Sequence, residues 1–250
     1  MPLEVNSGRV KHYYKSEAPQ NHEFDSRVHT AHIQLKHQVV PLRPPPGRFL
    51  EIGCGYGSGL VAAKALGYEP IGIEPGNSAL SYTKNKGLVV YGKGLEECHF
   101  QEASLDVIYA WHVIEHVPDM NRFLKEIYRI LKPGGLFFFG TEHYRCLPNL
   151  YSRGLHLLTG SLPGLDTADE HTFLFTPRSV KRIFPRFGFR VVNVKAYHPQ
   201  HKSDTFFAPA RRGSVFKRLV HTTVLGTIYG LSVTWPGAGA HLQASVVRVQ

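Results

Sequence analysis

Residues 49–59 read FLEIGCGYGSG, a short apolar strand that breaks into a run of alternating glycines. Glycines at Gly53, Gly55 and Gly57 let the backbone turn sharply off a strand and approach a ligand closely. Helical sequence follows from Leu60 to Leu66, and Pro70-Ile-Gly-Ile-Glu74 is the next strand, closing on a carboxylate. Strand, glycine turn, helix and strand open a βαβ unit, although such a turn alone also fits nicotinamide-binding folds.

The same rhythm runs outward from this stretch. Asn77 can cap a helix through Lys86, and Leu88–Tyr91 and Leu105–Ala110 are strands. Asp119 opens the amphipathic helix NRFLKEIYRIL, and Pro133-Gly134-Gly135 turns into the strand Leu136–Phe139. Upstream, residues 27–39 read as a helix stopped by Pro41, Pro44, Pro45 and Pro46. Downstream, Thr176-Pro177 starts a helix to about Phe187, and Phe189–Val194 and Ala244–Val249 are strands. Alternating strands and helices predict an α/β fold with a doubly wound, mostly parallel sheet covered on both faces. Residues 1–46 are expected to form an N-terminal helical cap and residues 47–250 the main domain. Within it, about 144–175 reads as an inserted lid and about 198–235 as a basic and apolar C-terminal cap.

At 250 residues and 42% hydrophobic content the chain can bury a sizeable core. Cys54, Cys98 and Cys146 are too few and too scattered for a disulfide framework or a zinc site, so a reducing, cytoplasmic setting is expected. The polar start MPLEVNSGRVKHYYKSE carries no apolar signal core, and no apolar run reaches membrane-spanning length. The formal charge of +10 is local: residues 1–177 hold 17 Lys/Arg and 18 Asp/Glu, whereas 178–218 hold 11 Lys/Arg against Asp204 alone. That segment is either a solvated face or an attractor for an anionic substrate, an acidic membrane surface or nucleic acid. It carries no nucleic-acid motif, which ranks nucleic acid last.

Four stretches, FLEIGCGYGSG, IGIE, WHVIEHVPD and RILKPGG, stand in an order and spacing that resemble the class I S-adenosylmethionine-dependent methyltransferases. The branch is the one that includes the ubiquinone-biosynthesis O-methyltransferases. The resemblance is strongest over residues 47–140 and extends to DEHTFLFTPRSVKRIFPRFGFRVV. It implies a seven-stranded Rossmann-like sheet that binds S-adenosylmethionine. By position, Glu51, Gly53, Gly55 and Gly57 would line the methionine and sugar end of the cofactor, and Glu74 would bind the ribose. Leu95 and Glu96 fall at the adenine contact, although Gly94 stands where the family often has Asp. His112 lies near the methionine end, and Tyr13 and Tyr14 resemble a tyrosine pair that closes over the cofactor.

Transfer to a hydroxyl benefits from a base, and histidine suits that role near neutral pH. Position selects His143, just beyond the strand ending at Phe139-Gly140, and His171, just after the lid. His112, Glu115 and His116 sit at i, i+3 and i+4, and some ubiquinone-pathway relatives place a divalent metal on the matching residues. Here His112 replaces the first Glu of that pattern, and no metal is expected. The expected acceptor is a small molecule that is aromatic, prenylated or lipid-linked, methylated at oxygen, with contact to a membrane periphery. Alternatives are methylation of a sugar or a nitrogen on an envelope or natural-product intermediate, or of nucleic acid or protein through the 178–218 segment. The sequence leaves the oligomeric state open.

Overall fold

The computed structural model describes residues 18–144, 172–197 and 241–249. Tyr13, Tyr14, Cys146, His171, most of the expected lid and the expected C-terminal cap lie outside them. Helix α1 (Asn21–Gln38) precedes β1 (Arg48–Ile52), α2 (Ser58–Ala65), β2 (Glu69–Ile73), α3 (Asn77–Asn85) and β3 (Val90–Tyr91). Then come β4 (Leu105–Trp111), α4 (Met120–Ile130), β5 (Leu131–Glu142), α5 (Pro177–Ile183), β6 (Phe189–Tyr197) and β7 (His241–Arg248). The seven strands form one sheet in the order β3-β2-β1-β4-β5-β7-β6. Every pairing is parallel except those of β7, which runs antiparallel to both β5 and β6.

Strands with both faces covered are apolar at nearly every position, and alternate side chains serve opposite layers. Leu50, Ile108, Ala110, Phe137 and Phe139 enter the larger core with α4 and α5. Phe49, Val107, Tyr109, Leu136 and Phe138 enter the other, where Leu35 and Val39 of the α1 region and Ala62 and Ala63 of α2 meet them. In α4 the buried Met120, Phe123, Leu124, Ile127 and Ile130 repeat at helical spacing, and the Asp119 side chain accepts from the Arg122 N–H at 3.0 Å.

Several boundaries differ from expectation for identifiable reasons. Helix α1 starts six residues before Arg27 because Phe24 is buried and packs on Tyr82, with ring centroids 5.9 Å apart. Asn77 does not cap α3; Gly76 holds that position, its N–H donated to Glu74 at 2.7 Å. Strand β3 is shorter than expected, because only Val90 and Tyr91 pair with β2. The PGG turn lies inside β5 as an irregularity: Leu131 pairs with Leu105, and pairing resumes at Leu136 with Val107. Helix α5 keeps its Thr176–Ser179 capping box, with bonds of 2.8 and 3.1 Å, but tightens to a 3-10 turn over Phe184–Phe187 at Pro185.

The end of the sheet opposite the glycine loop is tied by Asp106. Its carboxylate accepts from Arg43 Nη2 at 2.6 Å, Lys132 Nζ at 2.7 Å and the Arg48 N–H at 3.0 Å. Burial pushes this carboxyl up, but those bonds outweigh it and hold the group below its ordinary range. A depressed carboxyl contributes stability above its unfolded-state value and loses it as pH falls through the folded value. Asp106→Asn should cost about 1–3 kcal/mol in denaturant melts at neutral pH. The difference from the parent chain should shrink in acid; an equal difference at both pH values would contradict the assignment.

Candidate functional site

The sheet order reverses at β1, which lies between β2 and β4, and ligands of open α/β sheets bind beyond the strand ends at such a point. The glycine turn leaves β1 there. Gly53 and Cys54 donate backbone N–H bonds to Ile73 O at 2.8 and 3.0 Å, which joins the turn to the end of β2. Gly57, at φ +84°, is the residue before α2, and a Cβ on it would meet Thr83 and Leu88 at 2.5 and 2.8 Å. Gly53, at φ +71°, would press a Cβ onto Val113 at 2.6 Å, whereas a Cβ on Gly55 would meet nothing within 4 Å. The loop is thus packed on its protein side and clear at Gly55.

Two carboxylates flank it. Glu74, directly after β2, is buried and accepts from the Gly55 N–H at 2.8 Å and the Gly76 N–H at 2.7 Å. Burial raises its pKa and those two bonds pull it back. Glu51, near the end of β1, is buried against the first turn of α2, where a Cβ on Gly59 would land on its carboxylate. Burial first and the neighbouring Glu74 second push Glu51 up to about 8, although the Leu60 N–H opposes them. Glu51 Oε2 is buried and makes no hydrogen bond among the described residues. An unmatched carboxylate oxygen beside a second carboxylate is suited to a ligand carrying positive charge.

Beyond β4, His112 is held in the left-handed region at φ +52°, uncommon for a side chain of this size, with its N–H donated to Gly140 O at 2.9 Å. Its Nδ1 lies 3.0 Å from Oε1 of Glu115, a residue that is 1% exposed. Burial raises the Glu115 carboxyl, but the His112 hydrogen bond and the nearby imidazoles bring it below the ordinary range. An ionised carboxylate can only accept, so Nδ1 of His112 is the donor in this pair and Nε2 is the ring nitrogen left to meet a ligand. Around this pair stand aromatic rings: His241 at 5.2 Å from the His112 ring, Trp111 at 5.9 Å, and Tyr197 at 6.1 Å from Trp111. Trp111 lies over Gly140, where any Cβ would strike its indole.

Leu95 is buried in the larger core, and Glu96 forms an ion pair of 3.5 Å with Arg122. His143 is buried, and its backbone bridges Phe175 while the Tyr144 N–H donates to Phe175 O at 3.0 Å. Nearby, Thr172 and Phe173 donate to Glu115 O at 2.8 and 3.1 Å. Glu115 is buried whereas His116 is exposed, and among the described residues no group of three His, Cys, Asp or Glu is placed to hold a metal ion. Sequence reasoning missed the pairing of His112 with Glu115. Their i, i+3 spacing was the available signal, and it equally fits ligands on one helical face.

A family model described as a methyltransferase domain matches residues 24–194. Over 65% of this chain and 48% of the relative, the sequence is 30% identical to a 24-methylenesterol C-methyltransferase 2 from Oryza sativa subsp. japonica. It is 25% identical to a ubiquinone biosynthesis O-methyltransferase from Aliivibrio fischeri, over 75% of this chain and 86% of the relative. The fold is similar to a crystal structure of a SAM dependent methyltransferase from Archaeoglobus fulgidus, with a TM-score of 0.59 and 20% identity. That match covers 90% of this chain and 96% of the other. The chain spans about half the length, or less, of several of the curated relatives it matches.

Because the folded-state pKa of Glu51 lies above its ordinary value, the folded chain keeps a proton that the unfolded chain releases. Stability should therefore fall as pH rises from 4.5 and level off above about 8. Glu51→Gln should flatten that part of the profile in thermal melts, and an unchanged slope would show that Glu51 is already ionised.

Proposed function

This chain belongs to the methyltransferase-domain family, and we propose that it uses S-adenosylmethionine to methylate a small, largely apolar acceptor at a hydroxyl oxygen. The observation that carries this reading is the pair of buried carboxylates, Glu51 and Glu74, on either side of a glycine turn at the reversal of the sheet. Glu74 offers one oxygen to each of two backbone N–H groups and keeps lone pairs for vicinal ribose hydroxyls. The unmatched Glu51 oxygen fits the positive charge of the methionine end.

When bound, S-adenosylmethionine supplies a methyl group already activated on a sulfonium sulfur. The chain's own work is then to orient, to exclude water and to move one proton. Holding two reactants in line is worth roughly 7–11 kcal/mol in favourable cases. His112 Nε2 takes the proton that the acceptor hydroxyl sheds, and the Glu115 carboxylate holds the resulting imidazolium. Trp111, Tyr197 and His241, their rings tilted by 47° and 41° from one to the next, give the acceptor side an aromatic wall. Methylation at carbon of a sterol-like acceptor is the second reading, favoured by the likeness to the rice sterol enzyme; the same dyad serves there as the base.

Calorimetric titration with S-adenosylmethionine and its demethylated product should show binding that Glu74→Ala weakens about 10–100-fold, the loss expected for hydrogen bonds to a charged group. No binding by folded protein would overturn the reading. Because Glu51 holds a proton at neutral pH and a cationic ligand draws it into its charged form, binding should release protons. The measured heat should then differ between buffers of different ionisation enthalpy. With a turned-over phenolic or prenylated acceptor, Glu115→Gln should slow transfer by about 10²-fold or more and leave cofactor affinity unchanged.

A further inference from the structure

From Thr172 to Tyr197 the chain carries six cationic side chains and no acidic one. Arg178, Lys181, Arg182, Arg186, Arg190 and Lys195 are all exposed, and none forms an ion pair among the described residues. Arg178, Lys181 and Arg182 stand at i, i+3 and i+4 of α5, opposite the buried Val180, so they share one side of the helix. Lys181 and Arg190 line a common surface groove with Pro185, Val192 and Val249. Val192 and Val249 are 37% and 48% exposed. Strand β6 is the last of the sheet, and no described strand pairs with its outer edge.

We propose that this face, formed by α5, the following 3-10 turn and the outer edge of β6, docks on an anionic lipid bilayer. Surface cations left without protein partners keep their full attraction for external negative charge, about 1 kcal/mol for each Lys or Arg that reaches the surface of an anionic membrane. Aliphatic side chains between them can enter the headgroup region, as on interfacial helices that pair charge with apolar contact. A nucleic-acid groove would instead want exposed aromatic rings for base stacking, and of the aromatic residues here Phe184 and Phe189 are buried and Phe187 and Tyr197 half-buried. The docking rests on charge and exposure and stands apart from the chemistry at the glycine turn.

The test is co-sedimentation of the full chain with vesicles of phosphatidylcholine alone and of phosphatidylcholine mixed with phosphatidylserine. Binding should require the anionic lipid and weaken with added salt. R178Q/K181Q/R182Q should lower partitioning by about 100-fold while circular dichroism and S-adenosylmethionine affinity stay unchanged. If that variant loses its fold, R178Q/R190Q, which spares the middle of α5, should still lower partitioning by about 30-fold. Absence of binding, equal binding to neutral vesicles, or undiminished binding by a folded variant would each overturn the proposal. So would salt-sensitive binding to a short RNA or DNA duplex in place of vesicles.

Discussion

Keeping two carboxylates out of water at the ends of neighbouring strands is the constraint around which this molecule is arranged. Glu51 and Glu74 are both buried, and Glu74 opposes the ionisation of Glu51, so each must be met by donors that water would otherwise provide. The chain supplies them from its own backbone: Gly55 and Gly76 for Glu74, Leu60 for Glu51. Only a turn that swings N–H groups inward can do so, which accounts for a left-handed Gly53 and Gly57 and for a helix beginning directly beneath Glu51. The geometry leaves one oxygen of Glu51 unmatched, and a ligand can supply what the fold does not.

Much of this frame was legible because its causes are local or periodic. The apolar runs Phe49–Ile52, Leu105–Ala110 and Leu136–Phe139 mark strands covered on both faces, and the spacing of Phe123, Leu124, Ile127 and Ile130 marks one buried helical stripe. Other features depend on distant partners. Phe24 belongs to a helix because Tyr82, far along the chain, receives it. The partition of Lys132-Pro-Gly-Gly into an irregular strand depends on where β4 resumes its pairing. The bond between His112 and Glu115 was hidden for a related reason. Spacing alone cannot tell a side chain that orients its neighbour from one that shares a metal with it, and a left-handed φ leaves no mark on the sequence.

Charge is divided as sharply as chemistry. At one end of the sheet Asp106 gathers Arg43, Lys132 and a backbone N–H, so its cations are spent inside the fold. Along β6 and α5 the cations form no ion pair among the described residues. The first arrangement contributes to stability, and the second leaves a field directed outward.

The stitches around Phe175 have a further meaning. Tyr144 and His143 meet Phe175, and Thr172 and Phe173 hang from the Glu115 carbonyl, so the chain leaves and re-enters the sheet through two anchors a few ångströms apart. Both ends of the interval are thus fixed, and lengthening a loop between fixed ends costs little, about 0.6 kcal/mol per doubling. A change of length between these anchors can therefore be absorbed without moving the strands, the glycine turn or the His112–Glu115 pair.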